Sequence, residues 1–163
     1  YQNSMRCFHL ATLVTLQARM PDTKVMMLSR EEAKHLMALQ ATPRDAITIA
    51  NAYGLRDDWA RAIYQQVVVT GNLPYVDELR VSIKLPQSTW LDVSKIYESE
   101  GSQQSGSFSS IPGNDTARAK NFKALLNRID DLFLQYDIAS KLKFEDITSR
   151  LRSAVPGLKY FRK

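Results

Sequence analysis

The sequence predicts an all-α fold, an α-solenoid-like array of about seven to eight antiparallel helices with a long final helix pair. Apolar residues recur at helical spacing through most of the chain, and proline, serine and glycine stand where helices would begin and end. Between residues 41 and 83 the predicted helices follow one another with almost no spare loop. Residues 67–70 alone have local strand propensity, and we expect the helical context to override it.

Two helices are predicted before residue 40. Residues 5–20 contain no helix breaker, and we expect this helix to be well buried. Pro21 ends it, and residues 24–28 form a short apolar connector. Ser29 and Glu32 are spaced as a capping box, so a second helix should run from there to about Leu39. The residues of the first helix that we expect to be buried form an apolar stripe: Cys7, Leu10, Ala11, Val14 and Ala18.

Three short helices are predicted between residues 42 and 83. The first has proline in its opening turn, where the missing N–H would be unpaired anyway, and ends at a glycine suited to a left-handed conformation. The predicted caps and stops are Thr42 and Gly54, then Asp57 or Asp58 and Gly71, then Asn72 with Pro74 in its first turn. The predicted inward residues are Ala46, Ile49, Ala50 and Tyr53, then Ala60, Ile63, Tyr64 and Val67, then Val76, Leu79 and Ile83.

The remainder fits the same architecture. A helix should begin at residue 87 after Pro86 and fade at Gly101, and residues 101–114 read as a flexible Ser/Gly-rich loop. Asp115 or Thr116 then caps the longest helix, to about residue 141, and a short helix follows until Pro156. The predicted inward residues are Trp90, Val93, Ile96 and Tyr97, then Phe122, Leu125, Leu126, Ile129, Leu132, Phe133 and Tyr136, then Phe144, Ile147 and Leu151.

Length and composition indicate one domain, residues 1–163, with the loop as an insertion within it. Hydrophobic residues make up 44% of the chain, enough for a core, and no apolar run approaches the roughly 20 residues that span a bilayer. Because the chain begins with neither an initiator methionine nor a leader, we expect a fragment of a larger protein. A single cysteine, Cys7, excludes an internal disulfide and favours a reducing, cytosolic setting.

The charge is uneven along the chain. Residues 1–115 carry 11 basic and 12 acidic side chains, whereas residues 116–163 carry 11 and 5, a net charge of +6. Arg150 and Arg152 belong to a tail that has no acid after residue 146, and this tail either contacts an acidic partner or anionic lipid or is simply solvated. Trp59 and Trp90 are either core residues or anchors for a partner, since tryptophan is frequent at binding hot spots.

No pattern of catalytic or metal-binding residues emerges. Cys7 and His9 are two positions apart on a helix and point in different directions, so they suit neither a shared metal nor a nucleophile pair. Cys7 is better explained as a small buried hydrophobe. Adjacent acids such as Asp130 and Asp131 diverge on a helix and indicate a solvated face. We therefore expect no enzyme activity, no cofactor and no metal.

Several segments resemble the carboxy-terminal domain of the spatacsin family. The resemblance covers most of the chain apart from residues 101–115, and the order and spacing of its parts are more specific than any single motif. The residues that carry it are Leu28, Ser29, Ala52, Tyr53, Trp59, Ala60, Tyr64 and Tyr75, and later residues 121–126, Asp131, Leu132, Tyr136 and Ala139.

This resemblance implies a non-enzymatic scaffold of late endosomes and lysosomes. The implied partners are spastizin and the fifth adaptor-protein complex, and the implied roles are autophagic lysosome reformation and endosomal sorting. The chain would be cytoplasmic and would reach the membrane through its partners. Two alternatives remain: a helical-repeat adaptor of another trafficking complex, and a basic module that binds anionic membrane or nucleic acid. Steeply salt-dependent binding would favour the basic module.

Overall fold

The computed structural model describes residues 2–104 and 112–157, with side chains from 3 to 101 and from 117 to 157. Within these ranges the chain forms nine helices and no strand, which confirms the all-helical prediction there. A π-helical segment, Tyr64–Val69, continues directly from the fourth helix. The helices are α1 Gln2–Arg19, α2 Arg30–Leu39, α3 Pro43–Tyr53, α4 Ala60–Ile63, α5 Leu73–Ser82, α6 Gln87–Gln104, α7 Pro112–Leu126, α8 Leu132–Lys141 and α9 Glu145–Ala154.

Helices that are two places apart in the order of helices along the chain pack against one another. One succession of contacts joins α1, α3, α5 and α7, and a second joins α2, α4, α6 and α8, with α9 packed on α8. The π-helical segment contacts α2, α5, α6 and α7 and so links the two successions. The core lies between them and is filled by large side chains, among them Trp59, Tyr75, Phe122, Leu125 and Ile138.

Local signals at three predicted helix termini are confirmed. The Ser29 hydroxyl accepts a hydrogen bond from the Glu32 N–H at 3.3 Å, and the Glu32 carboxylate accepts one from the Ser29 N–H at 2.7 Å. Gly54 ends α3 with a φ of 67°, and Gly71 follows the π-helical segment with a φ of 76°. Other residues rarely adopt this left-handed conformation, which explains why glycine occupies these two turns.

Three other capping predictions need correction. Thr42 and Asn72 occupy cap positions, but neither side chain caps its helix. The Thr42 hydroxyl donates to the Asp45 carboxylate at 2.9 Å, and the Asn72 amide donates to the Ala41 carbonyl at 3.2 Å. Trp59, and neither Asp57 nor Asp58, holds the cap position of α4. The Asp58 carboxylate instead pairs with Arg30 at 2.7 Å, a tertiary contact that sequence spacing does not reveal.

The long helix predicted over residues 116–141 is wrong. The chain turns at residues 127–131, and α8 restarts at Leu132. Asp131 caps α8 by accepting hydrogen bonds from the N–H groups of Phe133 at 2.9 Å and Leu134 at 3.1 Å. Leu132 and Phe133, predicted to face inward, are exposed because the turn at residues 127–131 interrupts the helical spacing on which that prediction relied.

The predicted loop over residues 101–114 is shorter at both ends. Helix α6 reaches Gln104, and α7 begins at Pro112, so neither Asp115 nor Thr116 can start that helix. Proline suits the first helical turn, which accounts for the earlier start. The middle of the predicted loop, residues 105–111, lies outside the described part of the chain, as do residues 158–163 of the basic tail.

Helix α1 does not bury the stripe that was predicted to face inward. Leu13 and Leu16 are buried, and Met20, just beyond the helix, packs on the core. The predicted stripe, Cys7, Leu10, Ala11, Val14 and Ala18, is exposed throughout. The prediction of a well-buried helix and of a buried Cys7 is therefore wrong, because the body of the domain lies on one side of α1 alone.

No helix in the described ranges combines the length and the apolar character that crossing a bilayer requires.

Candidate protein-interaction groove

A surface groove lies where α5 ends, the α5–α6 connection crosses, and the chain turns from α7 into α8. Its volume is about 460 Å³, in the range of small binding clefts. We call it the α5–α8 groove. It is lined by Asp77, Arg80, Val81, Ile83, Lys84, Leu85, Trp90, Arg128 and Asp130.

The apolar part of the groove comes from the end of α5 and the connection that follows. Val81 is 89% exposed, although it is β-branched and uncharged. Ile83 and Leu85 are half-buried and pack against the core, and the Trp90 side chain, on α6, is 7% exposed. Helix α5 stops at Ile83, whose backbone is extended, so the connection runs across the surface and presents these apolar groups side by side.

Two ion pairs join α5 to the turn that follows α7. Arg128 Nε donates to Asp77 Oδ1 at 2.8 Å, and Nη2 donates to Oδ2 at 3.3 Å. Arg80 pairs with Asp130. The hydrogen bond to Asp77 raises the pKa of the Arg128 guanidinium, which stays charged at any physiological pH. The pairs hold the charged residues of the groove in fixed positions beside its apolar part.

The two candidate tryptophans lie in different places. Trp90 lines the α5–α8 groove, whereas Trp59 is 2% exposed within the core. The Trp59 indole N–H donates to the Arg56 carbonyl at 2.8 Å, which satisfies its one polar group locally. Both side chains are buried, which agrees with the core alternative for each, although Trp90 also borders the groove. Partner binding by either residue stays a prediction.

The two candidate arginines on α9 both contact neighbouring elements. Arg150 Nη2 donates to Asn127 Oδ1 at 2.5 Å, so it reaches the same turn that supplies Arg128 to the groove. Arg152 Nε donates to the Tyr136 hydroxyl at 2.9 Å, and its guanidinium carbon lies 5.6 Å from the ring centroid. The structure thus brings Trp90 and Arg150 to the same turn after α7 and leaves Trp59 and Arg152 apart from it.

Two of the three basic residues of α7, Arg118 and Lys123, are paired with acids. Arg118 lies 3.4 Å from Glu100, and Lys123 lies 3.0 Å from Asp146. The Lys123 ammonium, as a hydrogen-bond donor, lowers the pKa of the Asp146 carboxyl. Together with the Arg128 pair, these contacts cancel much of the positive charge that α7 could offer to a polyanion.

Sequence reasoning missed the acids and bases of the groove. Asp77 and Arg80 were not singled out, and Asp130 was interpreted only as part of a solvated helix face, because each becomes notable only when α5 meets the turn after α7. One local signal was available: Asp131 precedes the apolar run from Leu132, which is the pattern of an N-cap. Reading that cap would have exposed the turn and split the long helix.

The described residues offer little that would support catalysis or metal binding. No group of three or more His, Cys, Asp or Glu residues there is placed to hold a metal ion. Burial raises the pKa of the Tyr75 phenol, and this buried hydroxyl has no hydrogen-bond partner. Burial also raises the pKa of Tyr64 to about 12. Both phenols are therefore neutral at physiological pH, in a role that suits packing.

The fold and the groove define a domain that is all-helical in its described ranges and carries a surface groove lined by apolar and charged residues. The chain belongs to the family described as the spatacsin C-terminus, whose model matches residues 1–99. It is 28% identical over 155 residues to mouse (Mus musculus) spatacsin, which covers 92% of this chain and 6% of that protein. It is 24% identical over 146 residues to a Dictyostelium discoideum protein, covering 88% of this chain and 4% of that protein. No solved structure matches the chain.

Proposed function

We propose that this chain is a non-enzymatic protein-interaction module of a spatacsin-type scaffold in late endosomal and lysosomal trafficking. The observation that carries the proposal is membership of the spatacsin C-terminus family. The chain spans a small part of the two relatives, so the module would act as one piece of a much larger assembly. The proposed cellular roles are autophagic lysosome reformation and endosomal sorting.

The proposed architecture is a solenoid-like array of antiparallel helices in a single domain. Support comes from the two successions of contacts, α1–α3–α5–α7 and α2–α4–α6–α8, which are typical of stacked helical pairs. Such arrays bind through extended outer surfaces and tolerate few changes inside. The surfaces open to a partner would then lie at the ends of the helices and in the connections, where the α5–α8 groove is found.

The proposed binding mode uses both parts of that groove. Val81, Ile83 and Trp90 offer an apolar surface that a partner side chain can cover, and exclusion of water there supplies most of the affinity. The flanking ion pairs fix the orientation of the partner and reject segments with mismatched charge. Arg150, bonded to Asn127, supports the turn that carries Arg128 and Asp130.

The proposed partners are spastizin and the fifth adaptor-protein complex, and association with membranes would occur through them on the cytoplasmic side. The test is capture of each partner by the purified chain at low and at moderate salt, with circular dichroism to verify that the chain is helical. Retention of either partner at moderate salt would support the proposal. Capture of neither by a folded chain would place the partner surface elsewhere in the parent protein.

The alternative function, a basic module that binds nucleic acid or anionic lipid, predicts a different result when capture is compared at low and at moderate salt. Binding through released counterions weakens steeply with salt, because each neutralised phosphate contributes to the slope. The ion pairs of Arg118, Lys123 and Arg128 argue against this alternative. Binding of RNA or anionic vesicles that is present at low salt and lost at moderate salt, without capture of either protein, would favour it.

A further inference from the structure

Helix α1 is apolar on two opposite faces. Leu13, Leu16 and Met20 recur at i, i+3 and i+7 and turn toward the core. The other face repeats through positions 7, 11, 14 and 18, with Leu10 beside them, and every one of these side chains is exposed. We call this the outer face of α1. A helix that is apolar on both sides is typical of one covered on both sides.

The outer face carries no charge and is wider than its central stripe. Phe8, which is 62% exposed, lies on its edge one turn before Ala11. Arg19, near the end of the helix, turns back to Asp45 at 2.6 Å and leaves the outer face uncharged. Membrane-surface helices pair an apolar face with a polar face rich in Lys and Arg. The two arginines of α1, Arg6 and Arg19, do not form such a face, so a helical protein surface fits better than lipid.

The position of α1 indicates the geometry of its missing neighbour. In the succession α1–α3–α5–α7, α1 contacts α3 on its inner side and has no further helix on its outer side within the described residues. A helix packed on the outer face would continue the same succession by one step. That neighbour would need an apolar, uncharged stripe.

The size of the outer face argues against self-association. From residue 7 to residue 18 the stripe is about 17 Å long and presents five apolar side chains, far fewer than the roughly 20–30 residues that each partner contributes to a stable interface. Stable interfaces between separate proteins bury about 800 Å² on each partner. A helix within the same chain needs far less area, because it loses no translational freedom on packing.

The relatives contain long stretches of chain outside the matched region, and such a stretch could supply the helix. The match covers 6% of mouse spatacsin and 4% of the Dictyostelium protein, so relatives carry long polypeptide outside the matched region. We propose that the outer face of α1 packs against a helix from the part of its own parent chain that lies outside these 163 residues. This contact is independent of the α5–α8 groove, and its failure would leave the groove proposal standing.

Cys7 provides the probe, because it lies on the outer face and is the one cysteine of the sequence. Alkylation by iodoacetamide is followed by mass spectrometry of the peptide that contains Cys7, in the purified 163-residue chain and in the full-length parent protein. We expect rapid alkylation in the isolated chain and alkylation at least about tenfold slower in the full-length protein, where the thiol would be covered.

A pair of variants separates packing from other causes of protection. Val14→Glu places a charge on the outer face and should restore rapid Cys7 alkylation in the full-length protein. Ser88→Glu adds the same charge at an exposed position on α6, away from α1, and should leave Cys7 protected. Neither variant should change the thermal midpoint of the isolated chain, since both side chains are exposed there.

Three results would overturn the proposal. Equal alkylation rates in the isolated chain and the full-length protein would show that the outer face is open. Protection in the isolated chain that grows with its concentration would assign the face to a second copy. Protection of the full-length protein that appears only after a binding partner is added would assign it to that partner.

Discussion

Arg128 and Asp77 form a two-point ion pair that joins the turn after α7 to helix α5. The Nε–Oδ1 distance is 2.8 Å and the Nη2–Oδ2 distance is 3.3 Å, although the residues are 51 positions apart in sequence. The pair lies in the α5–α8 groove and, with Arg80 and Asp130, sets where the turn sits relative to Val81. The proposed binding surface therefore depends on contacts between distant parts of the chain.

The Arg128–Asp77 pair should contribute weakly to stability and strongly to groove geometry. Both side chains are partly exposed, so water and salt screen their attraction. In a double-mutant cycle with Arg128→Met and Asp77→Asn, we expect a small coupling in urea unfolding at low salt and none at high salt. A coupling that persists unchanged at high salt would contradict this reading and indicate a pair shielded from solvent.

Ile129→Asp should strongly destabilise the domain. Ile129 is buried within the turn between α7 and α8, and the substitution removes apolar contacts and places a carboxylate in the core. We expect a loss on the order of 4 kcal/mol, measured by thermal and urea unfolding. Val81→Asp makes a similar change at an exposed position and serves as the control. Full thermal stability of Ile129→Asp would show that the turn is packed differently.

Asp131→Ala should remove the cap of α8. The Asp131 carboxylate accepts two backbone hydrogen bonds at the start of that helix, and it also accepts one from the Gln87 side chain at 2.7 Å. We expect a cost of about 1 kcal/mol in urea unfolding. Asp137→Ala, which removes an exposed carboxylate later in α8, should cost less. Equal costs for the two variants would argue against the cap.

Stability should fall at high pH partly because of Tyr64. Burial raises its pKa to about 12, and its hydroxyl donates to Glu100 at 2.7 Å. Since the folded pKa lies above the unfolded value of about 10, the neutral phenol stabilises the fold fully below pH 10. This contribution is lost as the pH rises from about 10 toward about 12. Urea unfolding between these values should show a shallower decline for Tyr64→Phe, and an identical decline would contradict the assignment.

Local signals predicted much of the fold, and non-local geometry accounts for most of the errors. Gly54 and the Ser29–Glu32 box depend on a few adjacent residues, so they could be read directly. The break before Leu132 was hidden because the apolar stripe continues across the turn at nearly helical spacing. For α1, periodicity located an apolar face but not the side on which the body lies. No sequence pattern pairs Arg128 with Asp77, so the groove required the structure.

The central claim is that the chain binds a protein partner through the α5–α8 groove, and a matched pair of variants tests it most directly. Val81→Asp and Met27→Asp each replace an apolar side chain that is 89% exposed, but Val81 lines the groove and Met27 does not. Capture of spastizin and of the fifth adaptor-protein complex is compared at moderate salt for both variants and the unmodified chain. We predict that Val81→Asp loses capture while Met27→Asp keeps it. Undiminished capture by a folded Val81→Asp chain would contradict the proposed groove.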